Sequence, residues 1–357
     1  MENLFVIHTQ YSLVLAVGML KNRFSEDSND LILFEDFLQN QNIKTTLQRN
    51  FNTVLFRPGT YALKGKNKVS TFFTYLQSIK AIQKNNTKKY NRVFIVLDMN
   101  LVEMRIMKHT FRQYPKVEFI ALEDGAYPYF LNHDKPGGFD TNKVTRNIRS
   151  FIFTYLLSCG KFYSFEGRFM GANTWLNSIY LTYSKYARPI YDAKLKVEIT
   201  QKEFNDGVDA LFKSTNINLE KNSVLLILDK LDVYKDFDFI EKKLQEALKN
   251  LEKLKVKTYY KYHPRETNHL AIDHIATELD RNIAIESYYK DTLGASPIII
   301  GIKSTGLQTA KKMGFKVVSL SKLLNEDDKQ VLDFYQKIGV FVPKTMDEFF
   351  KLLPNGK

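Results

Sequence analysis

Short apolar runs recur along the first half of the chain at Leu4–Ile7, Leu31–Phe34, Val54–Phe56, Val93–Leu97 and Val117–Leu122. Runs without polar alternation are what strands buried on both faces of a parallel sheet require. Between the third and fourth, Val69, Phe72, Phe73, Leu76, Ile79 and Ile82 fall mostly three or four apart, which predicts one apolar helix face before the polar turn Asn85-Asn86-Thr87. An aromatic-rich stretch from Asp140 to Tyr191 is expected to be helical and to complete a first domain over 1–191, followed by a polar linker over 192–222. The rhythm restarts in a second domain over 223–357. Ser223 to Leu228 forms its first run, Ile240, Leu244, Ala247, Leu248 and Leu251 share a helix face, and further strands are expected at Lys257–Tyr262, Ile283–Glu286, Pro297–Ile300 and Lys316–Leu320. The last helix is expected to pack back on the first domain. Strands alternating with helices predict two doubly wound, Rossmann-like α/β domains facing a central cleft bordered by the carboxyl ends of both sets of strands.

Composition narrows the class. The chain has 357 residues, 44% of them hydrophobic and 25% charged, which suits two soluble globular domains. The start, Met1-Glu2-Asn3 followed by Leu4–Ile7, has no basic region and no long apolar one, so no secretory leader is expected. The apolar runs at Leu13–Leu20 and Phe151–Leu157 are about half of what crosses a bilayer. A cytoplasmic location follows as the expectation. The one cysteine, Cys159, forms no internal disulfide and is expected in a core, and no Cys/His cluster suggests zinc. A net charge of +13 favours an anionic partner, although a Lys- and Asn-rich chain also gives a merely solvated basic surface.

Candidate chemistry lies just past the predicted strands. Glu123-Asp124-Gly125 follows Val117–Leu122, and two carboxylates at a glycine turn can raise one another's pKa until one serves as a base. An acidic turn with no chemistry has the same sequence. Tyr262-His263-Pro264-Arg265-Glu266 follows another strand, where His263 and Arg265 can face a phosphate. Lys303-Ser304-Thr305-Gly306 precedes a helix from about Leu307 to Met313, and hydroxyls at a helix N-terminus bind phosphate or simply cap the turn. Glu286, expected to end a strand, suits the two hydroxyls of a ribose.

Together with the opening Val6-Ile7-His8-Thr9-Gln10-Tyr11-Ser12-Leu13, this series resembles the bacterial sialyltransferases and capsule polysialyltransferases of GT-B fold, which use CMP-sialic acid. The resemblance implies a general base at Glu123 or Asp124, with Glu123 favoured as the nearer to the strand end. It further implies that His263 assists the leaving CMP phosphate, that Ser304 and Thr305 bind that phosphate beside Pro264, Arg265, Lys303 and Gly306, and that Glu286 holds the ribose. His8, Thr9, Gln10 and Gly125 fall on the side of the acceptor and donor sugar, His8 being the next candidate base. The implied reaction is an inverting single displacement from a CMP-sugar to a glycan hydroxyl of a capsule, lipooligosaccharide or oligosaccharide. Neither cofactor nor metal is expected: Asp98-Met99-Asn100 comes nearest to a metal-binding DxD and lacks its second carboxylate.

Transfer of another CMP-activated keto acid, such as Kdo, legionaminic or pseudaminic acid, fits the same residues. A sugar-nucleotide epimerase of the same architecture would need a diphosphate site. A nucleic-acid-binding protein suits the charge, but the basic residues are scattered and carry no recognition motif, so no nucleic acid is expected. Lys143, Arg146 and Arg149 fall on one helical face, which suits peripheral contact with an anionic membrane surface at the inner face of the cytoplasmic membrane and equally a solvated helix.

Overall fold

A computed structural model describes the chain except residues 37–40, 60–62, 64, 66, 86, 97, 99, 131–142, 164–169, 216, 218, 232, 233, 235, 265, 327 and 354–357, and the side chains of 41, 42, 68 and 143–146. Arg265, Met99 and the side chains of Lys143 and Arg146 therefore lie outside the described residues. Two compact units form, Met1–Leu211 and Phe212–Lys357.

In the first unit the elements run β1 (Glu2–Ile7), α1 (Gln10–Asn22), β2 (Ser28–Phe34), α2 (Gln41–Asn50), β3 (Thr53–Arg57), α3 (Lys68–Asn85), β4 (Arg92–Ile95), α4 (Leu101–Gln113), β5 (Glu118–Leu122), α5 (Lys143–Phe151), β6 (Ser178–Leu181), β7 (Leu195–Glu198) and α6 (Gln201–Leu211). A π-helical turn, Ile152–Leu156, continues α5. All strand pairs are parallel and the order is β3-β2-β1-β4-β5-β6-β7. Connections therefore reverse direction beside β1 and β4, the place where such sheets open a crevice at their carboxyl edge. Leu4, Val6, Ile32, Phe34, Val93, Ile95 and Phe119 build the core under that edge.

The second unit carries β8 (Val224–Ile227), α7 (Phe237–Lys253), β9 (Thr258–Lys261), β10 (Thr277–Glu278), α8 (Ile285–Thr292), β11 (Ile298–Gly301), α9 (Thr305–Met313), β12 (Lys316–Ser319), α10 (Lys329–Lys337) and α11 (Met346–Phe350). Its parallel sheet has the order β10-β9-β8-β11-β12, with the reversal between β8 and β11. Each of the five apolar residues expected on one helix face is buried in α7. The last helix, α11, seats Phe349 in this same core.

Several expectations differ from the structure. The stretch to Tyr191 holds strand β6, and the segment 192–222 holds β7 and α6 instead of a bare linker. Helix α6 buries Phe204, Val208 and Leu211, which its Lys202, Glu203, Asp206 and Asp209 conceal in a count of polar residues. The run Ile283–Glu286 is no strand: Ala284 caps α8, and Glu286 sits in its first turn. Of the α3 face, Ile79 and Ile82 are buried while Val69 and Phe73 are exposed.

Candidate active site

At the carboxyl edge of the first sheet, β1 delivers His8 and Thr9, and β5 delivers Glu123, Asp124 and Gly125. Gly125 has φ 61°, a left-handed turn that a glycine takes without strain. The two adjacent carboxylates part in opposite directions. Glu123 is buried and accepts from Tyr11 Oη at 2.6 Å, Tyr129 Oη at 2.5 Å and Thr182 Oγ1 at 2.8 Å. Burial pushes its carboxyl above the ordinary value, against the pull of these bonds. Such a carboxylate is an anchor for α1, β6 and the turn after Gly125.

Asp124 is half-buried, and among the described residues the hydroxyl of Thr9 is the donor that reaches it, at 2.7 Å. Thr9 is also the N-cap of α1, accepting from Ser12 N, so the residue that starts the helix also orients the carboxylate. Burial raises the pKa of Asp124, while the Thr9 bond and the charge of His8 oppose the rise. Tyr127, Pro128, Met170 and Gly171 line a small crevice beside the pair.

His8 is buried and stacks on Phe34 with ring centroids 4.3 Å apart. Its Nδ1 meets Asp36 Oδ2 at 2.7 Å, and its Nε2 meets a carboxylate oxygen of Glu103. Burial disfavours the imidazolium, but Glu103 and Asp36 outweigh it and raise the pKa to about 9. Its two carboxylate partners thus favour the charged form of His8 next to Thr9. Nothing local in the sequence links it to Asp36 and Glu103; the register of β1 with β2 and the start of α4 bring them in. Asp98, from the unmatched DxD, is buried and fastens Gly171 N at 3.0 Å and Asn173 Nδ2 at 2.7 Å. Gln10 sits half-buried in the first turn of α1.

The second unit places its candidates along its own carboxyl edge. His263 is half-buried and Pro264 exposed after β9, and the loop they open is pinned by Glu266, whose carboxylate accepts from Thr267 N at 2.8 Å and Asn268 N at 2.6 Å. Glu286 bonds its own amide at the start of α8 and faces the buried Lys261, whose amine falls to about 8 through burial, against the pull of Glu286. Ser304 caps α9, and Tyr335 and Tyr289 donate to the carbonyls of Ser304 and Gly306, fixing that turn.

Asp229, past the end of β8, accepts from Lys303 N at 3.0 Å and from the hydroxyls of Tyr234 and Ser304. No sequence motif marked it. Lys303 Nζ pairs with Glu326 at 2.5 Å, so its charge is already countered, and Thr305 is the exposed hydroxyl of the turn. Among the described residues no set of three or more His, Cys, Asp or Glu side chains is arranged to hold a metal ion. Among them, too, no helix is long and apolar enough to cross a membrane.

No protein-family model matches the chain, and no curated protein matches its sequence. Solved structures do match its fold. The UDP-GlcNAc 2-epimerase of Methanocaldococcus jannaschii aligns at TM-score 0.54 and 10% identity, over 98% of this chain and 91% of that one. The GT-B domain of a sialyltransferase from Photobacterium damselae aligns at 0.50 and 11%, over 96% and 98%. An Escherichia coli heptosyltransferase aligns at 0.50 and 11%, over 96% and 94%. The fold is of the GT-B type, two Rossmann-like α/β units, and it hosts transferases and epimerases alike.

Proposed function

We propose that the chain transfers sialic acid, or a related keto-sugar acid, from its CMP-activated form to a glycan hydroxyl with inversion. The observation that supports this most is the division between the paired carboxylates: Glu123 is gripped by Tyr11, Tyr129 and Thr182, whereas Asp124 is half-buried and aimed by Thr9. The sequence favoured Glu123 as the base; the geometry favours Asp124. In this reading Asp124 takes the proton of the acceptor hydroxyl as its oxygen bonds to the anomeric carbon, and the carbon–phosphate oxygen bond breaks with its electron pair leaving on CMP. His263 stabilises the departing phosphate, with Thr305 and the N-terminal N–H groups of α9, and Glu286 takes the ribose hydroxyls.

The test is incubation with CMP-sialic acid, CMP-Kdo, CMP-legionaminic and CMP-pseudaminic acid, and with UDP-GlcNAc, each with and without galactosides and oligosialic acid. Acceptor-dependent release of CMP from one CMP-sugar is the expected result. The likeness to a UDP-GlcNAc 2-epimerase makes epimerisation of UDP-GlcNAc the second reading, and turnover of that substrate alone would replace the first.

A further inference from the structure

Helix α5 and its π-helical continuation present an apolar stripe to solvent. Ile148, Phe151, Ile152, Tyr155 and Leu156 follow at helical spacing, and all are exposed, Tyr155 at 70% and Leu156 at 69%. Phe153 turns the other way, stacking on Tyr163 with centroids 5.0 Å apart, so the segment is seated in the unit by one face and bare on the other. A surface helix normally buries such a stripe.

The charge within this segment has one sign. From Lys143 to Tyr163 the sequence contains no Asp or Glu, and it contains Lys143, Arg146, Arg149 and Lys161. Helix α4 adds Arg105, Lys108 and Arg112; Arg105 Nη1 donates to Leu157 O at 2.8 Å and Lys108 Nζ to Ser158 O at 2.7 Å, which puts these cations at the end of the stripe. The Arg112 and Arg105 charges act on Lys108 and, after burial, help depress its amine. Lys161 is exposed, and its amine lies over the ring of Phe111 in α4, 3.5 Å from the centroid.

We propose that this stripe docks the protein on an anionic phospholipid bilayer, the apolar side chains entering the headgroup boundary while the surrounding Arg and Lys meet lipid phosphates. An exposed apolar face bordered, among the described residues of this segment, by cations and by no carboxylate fits that surface and opposes a second copy of the same basic face. Docking is independent of the donor assigned above.

The full chain is sedimented with vesicles of phosphatidylglycerol and phosphatidylethanolamine, and with phosphatidylcholine vesicles, at low salt and at about 0.5 M salt. Binding to the anionic vesicles at least tenfold above the neutral ones, weakened by salt, is expected. Phe151→Ser with Leu156→Ser lowers it at least tenfold with melting temperature unchanged, since both side chains are exposed, and Arg149→Glu also lowers it. Equal binding by wild type and the double variant, no binding at low salt, or a wild-type dimer that the double variant turns into a monomer overturns the proposal.

Discussion

Consecutive residues leaving a strand point to opposite sides, and that alone separates Glu123 from Asp124. The first enters a buried set of hydroxyls, the second meets the cap of α1. Their variants are expected to fail in different ways. Asp124→Asn lowers transfer by about 10²–10⁴, the usual worth of a general base, with CMP affinity and melting temperature held. Glu123→Gln swaps an acceptor of three hydroxyl bonds for a group that also donates, and lowers unfolding free energy by about 1–3 kcal/mol in denaturant titrations. The pH profile gives a further readout. A base must be ionised and burial raises Asp124, so the rate falls on acidification while the pH is still above the ordinary aspartate range. Thr9→Val removes a bond that opposes this rise and moves the acid limb higher. A limb unmoved by Thr9→Val, or an Asp124→Asn enzyme within tenfold of wild type, returns Asp124 to the status of a turn residue. The tripeptide was visible in the sequence; which carboxylate is occupied was not, because Tyr11, Tyr129 and Thr182 reach Glu123 from three separate segments.

Among the elements, α6 shows where a linear reading fails. Parallel strands such as β8 and β11 announce themselves because both faces are buried and polar residues are excluded, and β1 and β2 do so through their apolar carboxyl halves. Edge strand β7, half-exposed with sequence Leu-Lys-Val-Glu, has no such signature. Helix α6 then packs on α1 through a contact that depends on two glycines: a Cβ on Gly207 would lie 2.1 Å from Val14 O, and one on Gly18 would lie 1.9 Å from Glu203 O. Arg23 closes the same joint, donating through Nη2 to Glu203 Oε2 at 2.7 Å. Gly207→Ala is expected to destabilise by about 1–3 kcal/mol, as overpacking against backbone does. Gly294→Ala, where a Cβ meets nothing within 4 Å, is the control and should stay within about 0.5 kcal/mol of wild type in the same denaturant titration. If Gly207→Ala is equally silent, α6 is not held on α1 in solution and the segment after β7 behaves as the linker its polarity suggested.

In the whole molecule, two parallel sheets offer two carboxyl edges, and the proposed function assigns a proton acceptor to one and groups for an anion to the other. The second edge suits a single phosphate: one helix N-terminus at α9, held by Asp229, Tyr289 and Tyr335, and no long glycine-rich loop. With two compact units, a ligand confined to the second should raise the transition of that unit and leave the first nearly where it was. A ligand at a hundred times its dissociation constant stabilises by about 2.7 kcal/mol, a rise of about 9 °C for a unit of this size. Calorimetry of the full chain with CMP and EDTA together should show that rise, because in the proposed reading His263, Thr305 and the helix terminus offset the phosphate charge that a metal would otherwise neutralise. Glu286→Ala should shrink it through the ribose, whereas Asp124→Asn, on the other unit, should not. A shift that EDTA abolishes assigns the phosphate to a metal, and greater protection by UMP or UDP than by CMP removes the CMP-sugar donor from the reading while leaving the GT-B fold intact.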